Sequence, residues 1–336
     1  MGKLKVAVFG AGYWAVMQIP SWQAAGAEVT AVWNRHADKA YAAAASFGIG
    51  QVYETPEELF ENADFDIADI ITSPDSHYPL VMMAAKYKKD VICQKPLALS
   101  FEESKKMVEA CRAAGVWFAV HENFRYRNTW QNVKSVLDSG VLGKILYADM
   151  TMGTAILEYE PALAHIRHMG LYDMGPHIYD LSRFLFGDAE TVYCAECGTH
   201  PGLDILDVMT STIKMKSGML LRCDLCRHKD PHAFICGEKG TLTFDQENYI
   251  TVKTDGDTRR IERPTLERPA YITEQRWNYH GGEGILSIRK CIEGLMSSYL
   301  AGKKSVTDAQ DYLKTTELYE KAIASSEQNA VMKLAL

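Results

Sequence analysis

Gly10 and Gly12 lie two residues apart, with Ala15 completing a Gly-x-Gly-x-x-Ala spacing. They follow residues 3–9, an apolar, β-branched run suited to a buried parallel strand, and they open a helical stretch. In such a turn the first glycine makes the tight passage from strand to helix, and the second lets a pyrophosphate approach the backbone. The small third residue lets helix and strand pack closely, while the helix N-terminus offers N–H groups and a positive dipole end to the phosphates. A second strand over 28–33 ends in polar Asn34-Arg35, which adds to the case for dinucleotide binding. Asp173 and His177 form a second constellation, four residues apart, and on a helix they share one face. Pro176 is tolerated only in a first turn, so the spacing predicts a helix starting near 172 and running to about 186. The dipole at that helix start favours a neutral, proton-accepting His177, with Asp173 orienting the ring or a substrate hydroxyl. Asp180 is read as a structural partner. Lys95 lies beyond the C-terminal end of a strand over 90–93, where ligands collect in open parallel sheets.

No metal site is expected. His165 and His168 have no carboxylate or cysteine following at metal spacing. Cys194/Cys197 and Cys223/Cys226 are two C-x-x-C pairs, the usual mark of zinc. Both fall in strand-like runs, where residues three apart point to opposite faces, so they read as small apolar thiols in a sheet.

The elements that must position these groups fall into two halves. Strands and helices alternate over the first 120 residues, the sign of a doubly wound parallel sheet. After His121 the rhythm changes. Strand-like runs at 191–197, 205–215, 218–227, 233–236, 241–245 and 249–253 follow one another without helices, and helices near 284–300 and 308–328 close the chain. The reading is an α/β Rossmann domain over 1–121 and an α+β domain over 122–336, built on an open, mainly antiparallel sheet. A length of 336 residues suits two domains, and 47% hydrophobic with 24% charged residues is ordinary for a globular protein. A net charge of −7 argues against a nucleic-acid groove, and no apolar run approaches the ~20 residues of a membrane span. With no signal peptide before the first strand, a cytoplasmic protein with eight reduced cysteines is expected.

The chain resembles the glucose–fructose oxidoreductase / inositol dehydrogenase / rhizopine-catabolism (Gfo/Idh/MocA) family over nearly its whole length. The resemblance rests on Gly10-x-Gly12-x-x-Ala15, Ser73-Pro74-x-x-His77, Lys95-Pro96 and Asn123-Phe124-Arg125-Tyr126. It continues through Gly170-x-x-Asp173-x-Gly175-x-His177-x-x-Asp180 and the turn Gly237-Glu238-Lys239-Gly240-Thr241. It implies hydride transfer between NAD(H) or NADP(H) and a hydroxyl-bearing carbon of a sugar, glycoside or polyol. It also implies homodimers or homotetramers through the open sheet. Alcohol oxidation needs a base for the hydroxyl proton and a donor steadying the developing alkoxide. His177 and Lys95 take those roles, assisted by Asp173. Cofactor contacts are expected from Gly10, Gly12, Tyr13, Trp14, Asn34, Arg35, Ser73, Pro74, His77, Gln94, Lys95 and Asn123. Beyond the catalytic three, substrate contacts are expected from Arg125, Tyr159, His165, Arg167, His168, Tyr279 and His280. Two departures stand out. Gln94 replaces a family glutamate near the nicotinamide ribose, and Arg167-His168-Met169 replaces a glycine-rich approach to the catalytic helix. Two other functions fit the same pattern: a glycosidase using bound NAD for transient C3 oxidation and elimination, and a non-catalytic sensor of sugar and cofactor.

Overall fold

The structure, a computed structural model, describes residues 2–154, 165–227, 231–244, 249–262 and 264–336. The chain forms two compact units, each drawn from two stretches: unit 1 from Met1–Arg127 and Leu266–Leu313, unit 2 from Asn128–Thr265 and Lys314–Leu336.

Unit 1 begins with β1 (Lys5–Phe9), α1 (Ala15–Ala24), β2 (Glu28–Trp33), α2 (Ala37–Phe47) and β3 (Gln51–Tyr53). It continues with α3 (Pro56–Asn62), β4 (Ile67–Ile70), α4 (His77–Lys86), β5 (Asp90–Gln94), α5 (Phe101–Ala114) and β6 (Phe118–His121). Local chemistry sets several of these ends. Thr55 and Ser100 accept the N–H of Glu58 and Glu103, capping α3 and α5, while Gly48 and Gly115 end α2 and α5 in the left-handed conformation. The sheet order is β3-β2-β1-β4-β5-β6 with every neighbouring pair parallel, the order of dinucleotide-binding sheets.

Unit 2 contains α6 (Asn128–Asp138), β7 (Ile145–Thr154), α7 (Met169–Asp173), α8 (Gly175–Phe186), β8 (Ala189–Cys197), β9 (Val208–Met215) and β10 (Leu220–Arg227). Then come β11 (His232–Gly237), β12 (Gly240–Phe244), β13 (Tyr249–Thr254) and β14 (Asp257–Glu262). Its sheet runs β14-β13-β12-β11-β7-β10-β9-β8-β15, where β15 is Met332–Lys333. β7 and β10 are parallel; the other described pairs are antiparallel. Side chains alternate as a half-buried sheet requires: Ala148, Met150 and Met152 are buried while Asp149 stays partly exposed. The C-x-x-C pairs obey the same alternation. Cys194 and Cys223 are buried, Cys197 is exposed and Cys226 half-buried.

Two features depart from the sequence reading. The helix expected near 284–300 is the part of α9 (Glu274–Leu300) beyond a break in helical geometry at Gly281 (φ 65°, ψ 150°); a further helical stretch precedes that break, and α9 belongs to unit 1. Its apolar stripe Ile285, Ile288, Ile292 and Leu295 is buried in one layer with Trp22 of α1, a long-range preference that periodicity cannot reveal. The final helix α10 (Ala309–Gln328) begins in unit 1 and ends in unit 2.

Candidate active site

In unit 1 the candidate residues gather beyond the carboxyl ends of the parallel strands. Gly10 has φ 121°, and a Cβ there would lie 2.8 Å from the Ile71 carbonyl oxygen, so only glycine fits between β1 and β4. An added Cβ at Gly12 would meet nothing within 4 Å, leaving the backbone open to an approaching group. No side-chain oxygen caps the N-terminus of α1, and its first turn carries no acid. A helix start with no side-chain cap, an open glycine and a favourable dipole are what a pyrophosphate needs, so these residues fit a dinucleotide.

The neighbouring polar residues divide between facing this cradle and building it. Asn34 Oδ1 accepts the Ala11 N–H at 2.9 Å, and its Nδ2 donates to the His36 carbonyl at 3.0 Å. Its amide therefore fastens the glycine loop to the end of β2. Arg35 extends outward and meets Asp75 at 3.3 Å, just past Ser73-Pro74, both side chains more than half exposed. The fully buried His77 ring bridges two loops: Nδ1 lies 2.9 Å from the Pro96 carbonyl and Nε2 3.1 Å from that of Thr72. Burial, though opposed by those carbonyls, holds its pKa below the usual histidine range. The ring thus ties the loop carrying Lys95 to the end of β4. The Arg276 guanidinium of α9 lies 5.2 Å from the Tyr13 ring centre, and Trp14 packs edge-on against Tyr13. Asn123 is buried and donates to Ser287 Oγ at 2.7 Å. Arg125, also buried, donates to the Val306 carbonyl at 2.7 Å.

Lys95 is half-buried, directly after β5, with its backbone N–H 3.3 Å from Gln94 Oε1. Glu122 went unnoticed in the sequence. It is wholly buried after β6, accepts the Phe124 N–H and the Tyr312 hydroxyl, and feels the charges of Lys95 and Arg125. Burial raises its pKa despite these neighbours. No periodic or motif signal marks a lone glutamate at a strand end.

In unit 2, Asp173 ends α7 and His177 occupies the first turn of α8. The single helix expected from 172 is two, with Pro176 in the first turn of the second. Met174 between them stays right-handed (φ −99°, ψ −20°), and the Ile178 N–H still bonds the Met174 carbonyl. Four-residue adjacency of Asp173 and His177 therefore carries across the join. Close packing fixes the approach to them, since a Cβ at Gly170 would sit 3.1 Å from the Asp207 carbonyl oxygen. His177 is 4% exposed. Asp180, fully buried, accepts from Thr315 Oγ1, which in turn accepts from Arg183.

The remaining substrate candidates separate clearly. Arg167 pairs with Asp204 at the surface, and His165 is exposed. Tyr159 lies outside the described residues, as do the side chains of Tyr279 and His280. His168 is held between two carboxylates, Nδ1 2.7 Å from Glu196 Oε2 and Nε2 3.3 Å from Glu327 Oε1. The hydrogen bond to Glu196, joined by both carboxylate charges, outweighs burial and raises its pKa. Below the unfolded histidine value of ~6.5 this pairing stabilises the fold in full, and the contribution disappears as pH rises through the folded value. His168→Ala strands the wholly buried Glu196 carboxylate and should cost about 3 kcal/mol near pH 6, less at alkaline pH. Urea unfolding of both proteins across pH checks this; a pH-independent difference would contradict it.

Comparison with known proteins gives the family. Residues 4–122 match the family described as "Oxidoreductase family, NAD-binding Rossmann fold", and residues 130–243 match "GFO/IDH/MocA C-terminal domain". The chain is 32% identical to a D-apiose dehydrogenase of Rhizobium rhizogenes, across 97% of this chain and 96% of that protein. The chain belongs to the GFO/IDH/MocA family. A myo-inositol 2-dehydrogenase of Thermotoga maritima is 27% identical over 61% of this chain and 64% of its own. An oxidoreductase from Agrobacterium radiobacter, solved with NAD+, L-tartaric acid and magnesium, superposes with a TM-score of 0.93 at 28% identity, covering 99% of this chain and 98% of that one. For this member of the family, unit 1 carries the NAD-binding Rossmann domain.

Proposed function

We propose that the protein is an NAD-dependent dehydrogenase oxidising a hydroxyl-bearing carbon of a sugar or polyol. The full-length likeness to a D-apiose dehydrogenase carries the reading, because it spans both the cofactor-binding residues and the Asp173–His177 region. Bound NAD+ would supply the hydride acceptor. In this reading Lys95 donates a hydrogen bond to the reacting hydroxyl and steadies its negative charge as it develops. His177 accepts the hydroxyl proton, and Asp173 orients the imidazole or a neighbouring hydroxyl. A panel of aldoses, ketoses, polyols and glycosides, followed by NADH absorbance and product analysis, tests it. Net NADH formation with an oxidised sugar is expected. Glycosidic cleavage with no net NADH would replace this reading with the NAD-assisted glycosidase.

Cofactor preference follows from the cradle. With an amide instead of a carboxylate at Asn34, a repulsion of roughly 1–4 kcal/mol toward a 2′-phosphate is missing. NADP+ should therefore bind within a thousandfold of NAD+. The exposed Arg35–Asp75 pair is worth at most ~1 kcal/mol, so Asp75→Asn should favour NADP+ by up to about fivefold by freeing Arg35. Fluorescence titration with both cofactors reads this directly, and an unchanged or reversed preference would count against it.

The outward face of the unit 2 sheet exposes Leu220, Phe234 and Tyr193, an apolar surface that supports a homodimer or homotetramer through this face. Eight free thiols suit the cytoplasm, and no described helix is long and apolar enough to cross a membrane.

A further inference from the structure

A carboxylic acid sits in the middle of the unit 1 sheet. Asp69 belongs to β4, between Val8 of β1 and Ile92 of β5, and is fully buried. Its two oxygens have two partners on α1: Oδ2 accepts from Trp22 Nε1 and Oδ1 from Gln18 Nε2, both at 2.8 Å. The indole N–H can only donate, and an ionised carboxylate can only accept. The Gln18 amide is therefore turned with nitrogen toward Asp69 and oxygen away.

That orientation passes along the molecule. Gln18 Oε1 accepts from Gln94 Nε2 at 2.7 Å, and the same nitrogen lies 3.2 Å from His121 Nδ1. Gln94 Oε1 is thereby left to accept the Lys95 N–H at 3.3 Å. Each amide has one acceptor end and one donor end, so its neighbour fixes which way it points. We propose that Asp69 is a positioning residue: through Gln18 it sets the amide orientation of Gln94, and so the polarity presented to Lys95. The proposal rests on the reading of Lys95 as the group that holds the reacting hydroxyl.

The chain can run in only one other sense. If Oδ1 of Asp69 carried a proton it would donate, and Gln18 would turn its oxygen inward. Gln18 would then offer nitrogen to Gln94, and Gln94 would turn its own oxygen toward Gln18 and His121. The Lys95 N–H would face a second donor. Burial, against the hydrogen bonds from Trp22 and Gln18, pushes the Asp69 pKa up to about 7, so both senses fall within an accessible pH range. Among the described residues, the groups that act on the Asp69 carboxyl are Trp22 and Gln18, with no cation among them. On this face β5 contributes Ile92 and α9 contributes Ile285, Ile288, Ile292 and the Cys291 thiol, while Cys93 of β5, on the other face, has its thiol pushed well above its usual range by burial and by Asp69. His121 closes the far end.

Asp69→Asn should lock the reversed sense, because its single oxygen stays with the indole and its NH₂ faces Gln18. The test uses the full chain saturated with NAD+, labelled with ¹⁵N in glutamine side chains, with Gln18→Met and Gln94→Met providing the assignments. In the wild type the Gln18 and Gln94 amide signals should shift with one shared midpoint as pH falls from about 8.5 to about 5.5. In Asp69→Asn both should be pH-independent. Gln18→Met removes the middle link and should leave Gln94 insensitive to pH, which gives the same answer if Asp69→Asn does not fold. The wild-type to Asp69→Asn ratio of kcat, on the best substrate of the sugar panel, should be roughly tenfold at high pH and fall toward one at low pH. Taking the ratio cancels any limb imposed by His177. A Gln94 signal that ignores both Asp69→Asn and pH overturns the proposal. So does a flat ratio when Lys95→Ala still abolishes turnover, and there the reading of Lys95 survives. A flat ratio with a harmless Lys95→Ala overturns that reading and the proposal together.

Discussion

His177→Ala should lower kcat by roughly 10²–10⁴, the usual worth of a positioned general base, and should abolish the limb of the pH–rate profile that the imidazole imposes. The placement of His177 carries the expectation. It is almost completely buried, in the first turn of α8, and Pro176 beside it fixes the backbone as that turn begins. A group held this firmly loses little freedom on reaching the transition state, so its removal should appear in kcat more than in KM. Asp173→Asn should fall between the wild type and His177→Ala, since it alters orientation while leaving the base in place. Cofactor affinity should be unchanged in both, because the NAD-binding Rossmann domain lies in unit 1 and both residues lie in unit 2. Steady-state kinetics across pH with a separate NAD+ titration decides the matter. Near-wild-type kcat in His177→Ala would remove it from the mechanism.

What could be read from the sequence was what local chemistry dictates. Gly10 is legible because one backbone position, closed in by the Ile71 carbonyl, excludes every side chain, and a spacing pattern records that. Thr55 and Ser100 are legible because a cap and its helix are neighbours in sequence. Roles set by distant partners were not. His168 looks like a site histidine until Glu196 and Glu327, far along the chain, close on its ring. His77 and Asn34 belong to motifs of the cofactor region, yet their polar atoms are engaged by backbone groups that hold its loops. β14 carries mostly exposed, polar residues, so it has no apolar alternation to announce it. α9 was recognisable as a helix, but its amphipathic pattern does not say which layer it covers. Asp69 left one trace, an acid inside an apolar strand, and its meaning depends on Gln18, Trp22 and Gln94.

Lys95→Ala should lower kcat by roughly 10²–10³ with NAD+ still bound, by analogy with losing one preorganised donor at a developing oxyanion. The lysine follows β5 in a loop held by the His77 ring, so its backbone is fixed, and the residue itself is half-buried. Glu122 is a buried acid that feels the Lys95 charge. Removing the ammonium therefore also changes the balance around Glu122, and Lys95→Arg serves as the control that keeps the charge. Arg is larger and forked, so it should leave cofactor binding intact and restore turnover only in part. The double variant Lys95→Ala with His177→Ala gives the sharper test. If one residue steadies an oxygen whose proton the other removes, each is useful mainly when its partner is present. The double loss should then be smaller than the product of the single losses. Losses that multiply cleanly would mean that the two residues serve separate steps. Two harmless single substitutions would favour the sensor over the dehydrogenase.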